Sequence, residues 1–128
     1  MSNIPAELKY TKDHEWTKID GDIVTIGITD FAQGSLGDIV FVELPEVDTE
    51  LEAGGTFGVV ESIKSVSDLF SPLTGTVVEC NEELEASPEL LNESCYDSWI
   101  IKLKVSNSSE TSTLIDAAAY KEHCETQA

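Results

Sequence analysis

From Ile23 to Val105 the sequence is a succession of short β-prone runs, each broken by glycine or proline, and this punctuation limits the fold more than any other feature. Asp20-Gly21 is a hairpin-turn dipeptide just ahead of Ile23-Val24-Thr25-Ile26. Asp38 to Leu44 is strongly β-prone and is stopped by Pro45; further strands are expected over Thr56 to Ile63, Gly75 to Cys80 and Trp99 to Val105. Asp30 to Leu36 suits one or two helical turns before Gly37, and Ser87 to Leu91 suits a short helix with Pro88 near its first turn. Many short strands of this kind pack as a sandwich or a flattened barrel. The C-terminal stretch differs. Thr113 to Cys124 has a helix-forming composition, with Ser112 or Thr113 as the cap and Ser106 to Thr113 as a polar connector. The length fits one domain over residues 1–128, with its core over residues 8–106 and its last helix over 113–124.

A short repeat adds a hint of symmetry. Glu50-Leu51-Glu52-Ala53 recurs as Glu83-Leu84-Glu85-Ala86, in each case after a Gly-led β run that starts at Gly37 or Gly75. Four matched residues are weak evidence for duplication. Two similar β halves would nonetheless pack face to face with quasi-two-fold symmetry, and the segment joining them would lie at one end of the sandwich. Lys64 is in that segment. Strict alternation puts Phe57, Val59, Glu61 and Ile63 on one face of the strand, and Gly58, Val60, Ser62 and Lys64 on the other. Ser65 to Asp68 suits a turn or its flank, with Ser71-Pro72 and Gly75 marking the return. A lysine at such a tip is within reach of another enzyme, although an exposed lysine by itself is an ordinary solvated charge.

Charge and composition narrow the function classes. Seven lysines and no arginine stand against 25 acidic residues, a formal charge of −18. Such a chain repels a phosphate backbone, which argues against nucleic acid and suits a diffusing protein steered toward basic surfaces on its partners. No apolar run has the length of a membrane span, and no Arg-rich leader or secretory segment opens the sequence, so a soluble chain is expected. Cys80, Cys95 and Cys124 form no CxxC pair, and an odd count points to a reducing compartment rather than a disulfide framework. With only His14 and His123 beside them, no metal site is expected, and the chain is poorly equipped as a catalyst.

The ordered motifs point further. They are Tyr10-Thr11, His14-Glu15-Trp16, the run Gly27 to Gln33, the run Leu36 to Glu46, Glu61-Ser62-Ile63-Lys64-Ser65, Gly75 eleven residues beyond the lysine, Pro88 to Asn92, and Trp99. Together they resemble the H protein of the glycine cleavage system, within the wider group of lipoyl domains, over residues 8 to 121. Biotin carriers bracket their lysine with methionines, where this chain has Ile63 and Ser65. Acyltransferase lipoyl domains carry an aspartate before the lysine and lack the His14-Glu15-Trp16 segment. The chain departs from the H-protein pattern at Ser94 to Trp99, one residue short and without its Pro and Gly, and at Asp48, where Gly is common.

The resemblance implies a mainly β, lipoyl-type sandwich of two antiparallel sheets with short helices and a C-terminal helix. It implies lipoic acid in amide linkage to Lys64. The arm would carry the aminomethyl group of glycine from a pyridoxal-phosphate glycine decarboxylase (P protein) to an aminomethyltransferase (T protein). Dihydrolipoamide dehydrogenase (L protein) would reoxidise it, so this chain is a carrier and not itself an enzyme. Glu61 and Gly75 would serve recognition by the lipoylating enzyme, with Glu61 otherwise a strand-surface carboxylate. Glu15 and Asp68 would face the amine of the loaded arm, or else be solvated carboxylates. Trp16, Phe41 and Trp99 read as core or edge packing rather than arm contacts, and Tyr10 and His14 have no assigned role. A monomer is expected, in bacterial cytoplasm or, for a processed eukaryotic form, in the mitochondrial matrix. A relay that donates lipoate to other dehydrogenase complexes and an unmodified interaction module are the alternatives.

Overall fold

The computed structural model describes residues 4–106 and 114–127. Its elements run β1 (Lys9–Tyr10), β2 (Glu15–Asp20), β3 (Ile23–Ile28), α1 (Asp30–Leu36), β4 (Ile39–Glu43), β5 (Glu50–Leu51) and β6 (Thr56–Ser62). They continue with β7 (Val66–Phe70), β8 (Gly75–Cys80), α2 (Glu83–Ala86), α3 (Leu90–Glu93), β9 (Ile101–Val105) and α4 (Ala117–Gln127). Six strands form one antiparallel sheet in the order β1-β2-β3-β9-β8-β5, and three form a second in the order β4-β6-β7.

The two sheets stack as a sandwich and do not close into a barrel. Val24, Ile26, Val77 and Leu103 from the larger sheet meet Ile39, Val42, Val60 and Leu69 from the smaller one in a single apolar core. Burial of each such side chain favours folding by roughly 1.5–3 kcal/mol. A second cluster of Leu8, Tyr10, Trp16, Tyr120 and Cys124 holds α4 against β1 and β2. Backbone hydrogen bonds in both directions between Tyr10 and Ile115 lead the chain into that helix.

Several expectations hold in outline and shift in detail. Strands appear at Ile23, Ile39, Thr56, Gly75 and Ile101, and α1 occupies Asp30–Leu36 with Thr29 accepting from the Ala32 amide as its cap. The last helix begins at Ala117, and its cap is Asp116, whose carboxylate accepts from the Ala119 amide at 2.8 Å. Ser112 and Thr113 lie outside the described residues, as does the connector beyond Ser106. The tetrapeptide repeat is not a structural one: Glu50-Leu51 is strand, whereas Glu83–Ala86 is a helical turn. Four residues of identical sequence take whichever form their neighbours' packing selects.

Two readings around the lysine are corrected. Val66–Phe70 is a strand rather than a turn flank, because pairing with β6 supplies its hydrogen bonds despite its small polar residues. Strict alternation along β6 also fails. A register shift between Thr56 and Gly58 inserts a bulge, so Phe57 and Val60 both point into the core.

Candidate functional site

Lys64 sits in the three-residue connection Ile63–Ser65 between β6 and β7 and is exposed. The tip is short because Ser62 organises it. The Ser62 hydroxyl accepts from the Lys64 amide (3.2 Å) and the Ser65 amide (3.1 Å), while the Ser62 amide donates to the Ser65 carbonyl (2.8 Å). This is the way serine mimics a backbone turn. From the side, the Ile63 amide donates to the Asp38 carbonyl at 3.0 Å, which ties the turn to the segment entering β4.

That segment is itself clamped. Asn92 in α3 donates to the Gly37 carbonyl (2.8 Å) and the Gln33 side chain (3.0 Å), and accepts from the Ile39 amide (2.8 Å). Gly37 ends α1 with φ of 81°, a conformation suited to glycine. The Lys64 stem lies beside it, since a Cβ built on Gly37 would sit 3.4 Å from Lys64 Cε. Next along is a cleft of about 280 Å³ lined by Asp13, His14, Phe31, Ala32, Ser35, Leu36 and Ser67. Among the described residues the ion pair found is Lys102 with Glu79, so Lys64 Nζ is not tied to a carboxylate.

The other expected site residues are placed as follows. Glu61 lies three residues before Lys64 on the outer face of the smaller sheet, half-buried between Phe41 and Val66 in the cross-strand register. Asp68 is exposed in the edge strand β7 opposite Val59. Phe41, read as core or edge packing, lies on edge strand β4 and is 45% exposed. Trp16 does pack as expected, with its indole on Gly27 and its N–H donating to the Cys95 carbonyl at 3.0 Å.

Glu15 departs from its expected role. Its side chain is 2% exposed, accepts from the Phe70 amide at 3.1 Å through one oxygen, and takes the Thr11 hydroxyl at 2.9 Å on the other. It therefore covers an outward-facing amide of edge strand β7 and pins the His14 loop to the smaller sheet. Burial pushes its carboxyl up to about 8, against the lowering effect of the Phe70 and Thr11 hydrogen bonds. Buried and engaged through both oxygens, Glu15 is not presented to an arm; Asp13 lies in the cleft wall, and Asp68 alternates with the cleft residue Ser67 along β7 and so faces the other way.

Gly75 is corrected in the same way. It lies buried in β8 of the larger sheet, and a Cβ there would stand 2.2 Å from the Lys104 carbonyl oxygen. It is required by close backbone approach rather than displayed to an enzyme. Gly75→Ala is expected to lower stability by about 3 kcal/mol or more, because backbone must move to admit the methyl. Chemical unfolding would show it as a lower midpoint, and an unchanged midpoint would contradict the packing role.

Sequence reasoning assigned no role to Tyr10 and His14, which are joined through α4. The Tyr10 ring stacks on Tyr120 with centroids 4.7 Å apart, and His14 Nδ1 lies 2.7 Å from the Tyr120 hydroxyl, which also meets Thr29 Oγ1 at 2.6 Å. His14 holds a left-handed φ of 68° and stacks on Phe31 in the cleft wall. Its partner is 106 residues away, so no local signal identifies it.

Comparison with known proteins agrees with this fold. Residues 8–127 match the family model for the glycine cleavage H-protein. The chain is 59% identical over 120 residues to a glycine cleavage system H protein of Staphylococcus haemolyticus, covering 93% of this chain and 95% of that one. It is 58% identical over 121 residues to the corresponding protein of Symbiobacterium thermophilum, covering 94% of each. The crystal structure of a glycine cleavage system H protein from Mycobacterium marinum superposes with a TM-score of 0.82 at 38% identity, over 93% of this chain and 97% of that one. A two-sheet sandwich with an exposed lysine on a serine-organised hairpin thus coincides with similarity along nearly the whole chain, and the chain belongs to the glycine cleavage H-protein family.

Proposed function

We propose that this chain is the lipoyl carrier of a glycine cleavage system, bearing lipoic acid in amide linkage on Lys64 and having no catalytic activity of its own. The observation that supports this most is the presentation of Lys64: an unpaired ammonium at the tip of a hairpin fixed by Ser62 and the Asp38 carbonyl. The residues present fit such a group. Nζ is open to acylation, and the stem already lies beside Gly37, which follows Leu36 of a cleft with both apolar (Phe31, Leu36) and polar (Ser35, Ser67) walls. When bound, the group supplies a dithiolane able to take up a one-carbon amine fragment and electrons, chemistry that no side chain here offers.

The chain's own part is mechanical and electrostatic. The rigid hairpin delivers one point of attachment, and the tether raises the effective concentration of the carried fragment at each enzyme visited. Those enzymes are the pyridoxal-phosphate glycine decarboxylase, the aminomethyltransferase and dihydrolipoamide dehydrogenase, with a lipoylating enzyme acting first. Glu61 would be read by that enzyme on the strand before the lysine, and Asp13, in the cleft wall, is the carboxylate that a folded-back arm would meet.

Exchange of labelled bicarbonate into glycine, with glycine decarboxylase and the lipoylated chain, tests this reading. Exchange is expected to depend on the chain and to saturate with it. Lipoate donation to a dehydrogenase complex without any support of exchange would favour the relay role instead.

A further inference from the structure

Seven large apolar side chains are exposed among the described residues, and four of them surround the lysine hairpin: Val40 (55%), Phe41 (45%), Ile63 (69%) and Val66 (64%). Their grouping follows from register. Phe41 is the Cα partner of Glu61, and Glu61 of Val66, so the three stand side by side on the outer face of the smaller sheet. A register shift between Ile39 and Phe41 leaves Val40 outside the pairing, which turns two successive apolar residues outward where regular pleating would bury one. Ile63 continues the patch onto the turn beside Lys64. Exposed apolar side chains gathered in one place are uncommon unless something covers them.

Building on the carrier reading, we propose that Val40, Phe41, Ile63 and Val66 form the docking surface for the enzyme that acylates Lys64. Its complementary surface would be an apolar recess flanked by arginine or lysine. Two considerations select this occupant. An unmodified lysine extends only a four-carbon stem from the backbone. An enzyme that brings a carboxyl carbon to Nζ must therefore close over the neighbouring strands. Enzymes that work at the far end of the completed arm can stand further off. The second consideration is charge. Glu61 lies within the patch, Glu43 and Asp68 stand in the next cross-strand row, and Asp38 precedes β4, so the rim is acidic. Partners with apolar centres and oppositely charged rims gain both affinity and orientation from such an arrangement.

The test is the kinetics of lipoylation by an ATP-dependent lipoate ligase supplied with lipoate and ATP. The substrates are the unmodified full-length protein and its Ile63→Ser, Phe41→Ser and Phe41→Ser/Val66→Ser variants. Val47→Ser serves as a control, since Val47 is 52% exposed but lies beyond Pro45, at the end of β4 away from the turn. The double variant should lose about tenfold or more in kcat/KM, carried by KM, with Ile63→Ser lower by a smaller factor and Val47→Ser within about twofold of the parent. Ile63 lies outside both sheets, so its variant reports on docking even if the double variant folds poorly. Variants driven to full lipoylation with excess ligase should be reoxidised by dihydrolipoamide dehydrogenase at the parental rate. Parental lipoylation kinetics in Ile63→Ser and in the double variant, while the parent is modified on Lys64, would overturn the docking surface and leave the carrier reading standing. A parent that accepts no lipoyl group would remove both.

Discussion

Lys64→Arg is expected to unfold within about 2 °C of the parent and to support no glycine–bicarbonate exchange. The side chain at position 64 stands in solvent, its backbone amide is held by Ser62, and arginine meets both conditions equally well. Exposed substitutions of this kind usually change stability by less than about 0.5 kcal/mol. A guanidinium keeps the charge but does not form the lipoyl amide, so loss of function should be complete rather than graded. Circular dichroism on heating and the exchange assay supply the two halves of the result. Residual exchange by the arginine protein would contradict attachment at Lys64, and a large fall in unfolding temperature would contradict the account of the turn.

The second large effect concerns pH. The Glu15 carboxyl titrates at about 8 in the folded protein, above its value of 4.5 in a solvated chain, because burial disfavours the anion. The folded state therefore holds the proton more tightly, and the contribution of Glu15 to stability is fully present below the unfolded value. It is lost as pH rises toward 8, at up to about 1.4 kcal/mol per pH unit, and changes no further above that. Glu15→Gln retains an oxygen for the Phe70 amide and an amide group for Thr11 but cannot ionise. It should match the parent within about 1 kcal/mol at pH 5 and exceed it by about 3 kcal/mol at pH 9, close to 10 °C in unfolding midpoint for a domain of this size. Thermal unfolding of the two proteins at pH 5, 7 and 9 checks this. A difference that stays constant across that range would mean that Glu15 is not buried as an acid.

What the sequence disclosed divides along physical lines. Lys64 stands out through the ordered motifs around it and not through its own setting, because a β run with small polar residues beyond it marks a turn while an exposed lysine by itself is an ordinary solvated charge. Strands such as Ile23–Ile28 and Ile101–Val105 were legible because β-branched residues cluster there. Glu15 and Gly75 have partners that the sequence alone does not show. One answers the Phe70 amide 55 residues away and the other the Lys104 carbonyl in a neighbouring strand, and nothing near either residue encodes that contact. Phe57 and Val40 were hidden for another reason. A one-residue bulge reverses every side chain that follows, and it arises from cross-strand fit rather than from composition. The His14–Tyr120 link required knowing that α4 returns to β1, a fact of topology alone.

The central claim is that this chain works as a carrier through one modified lysine among seven. Intact mass followed by peptide mapping, on protein isolated from a lipoate-replete cell, tests it most directly. The account predicts a single lipoyl group, on the peptide containing Lys64, and none at Lys9, Lys12, Lys18, Lys102, Lys104 or Lys121. A lipoyl group on any of those six, or an unmodified chain, would contradict it.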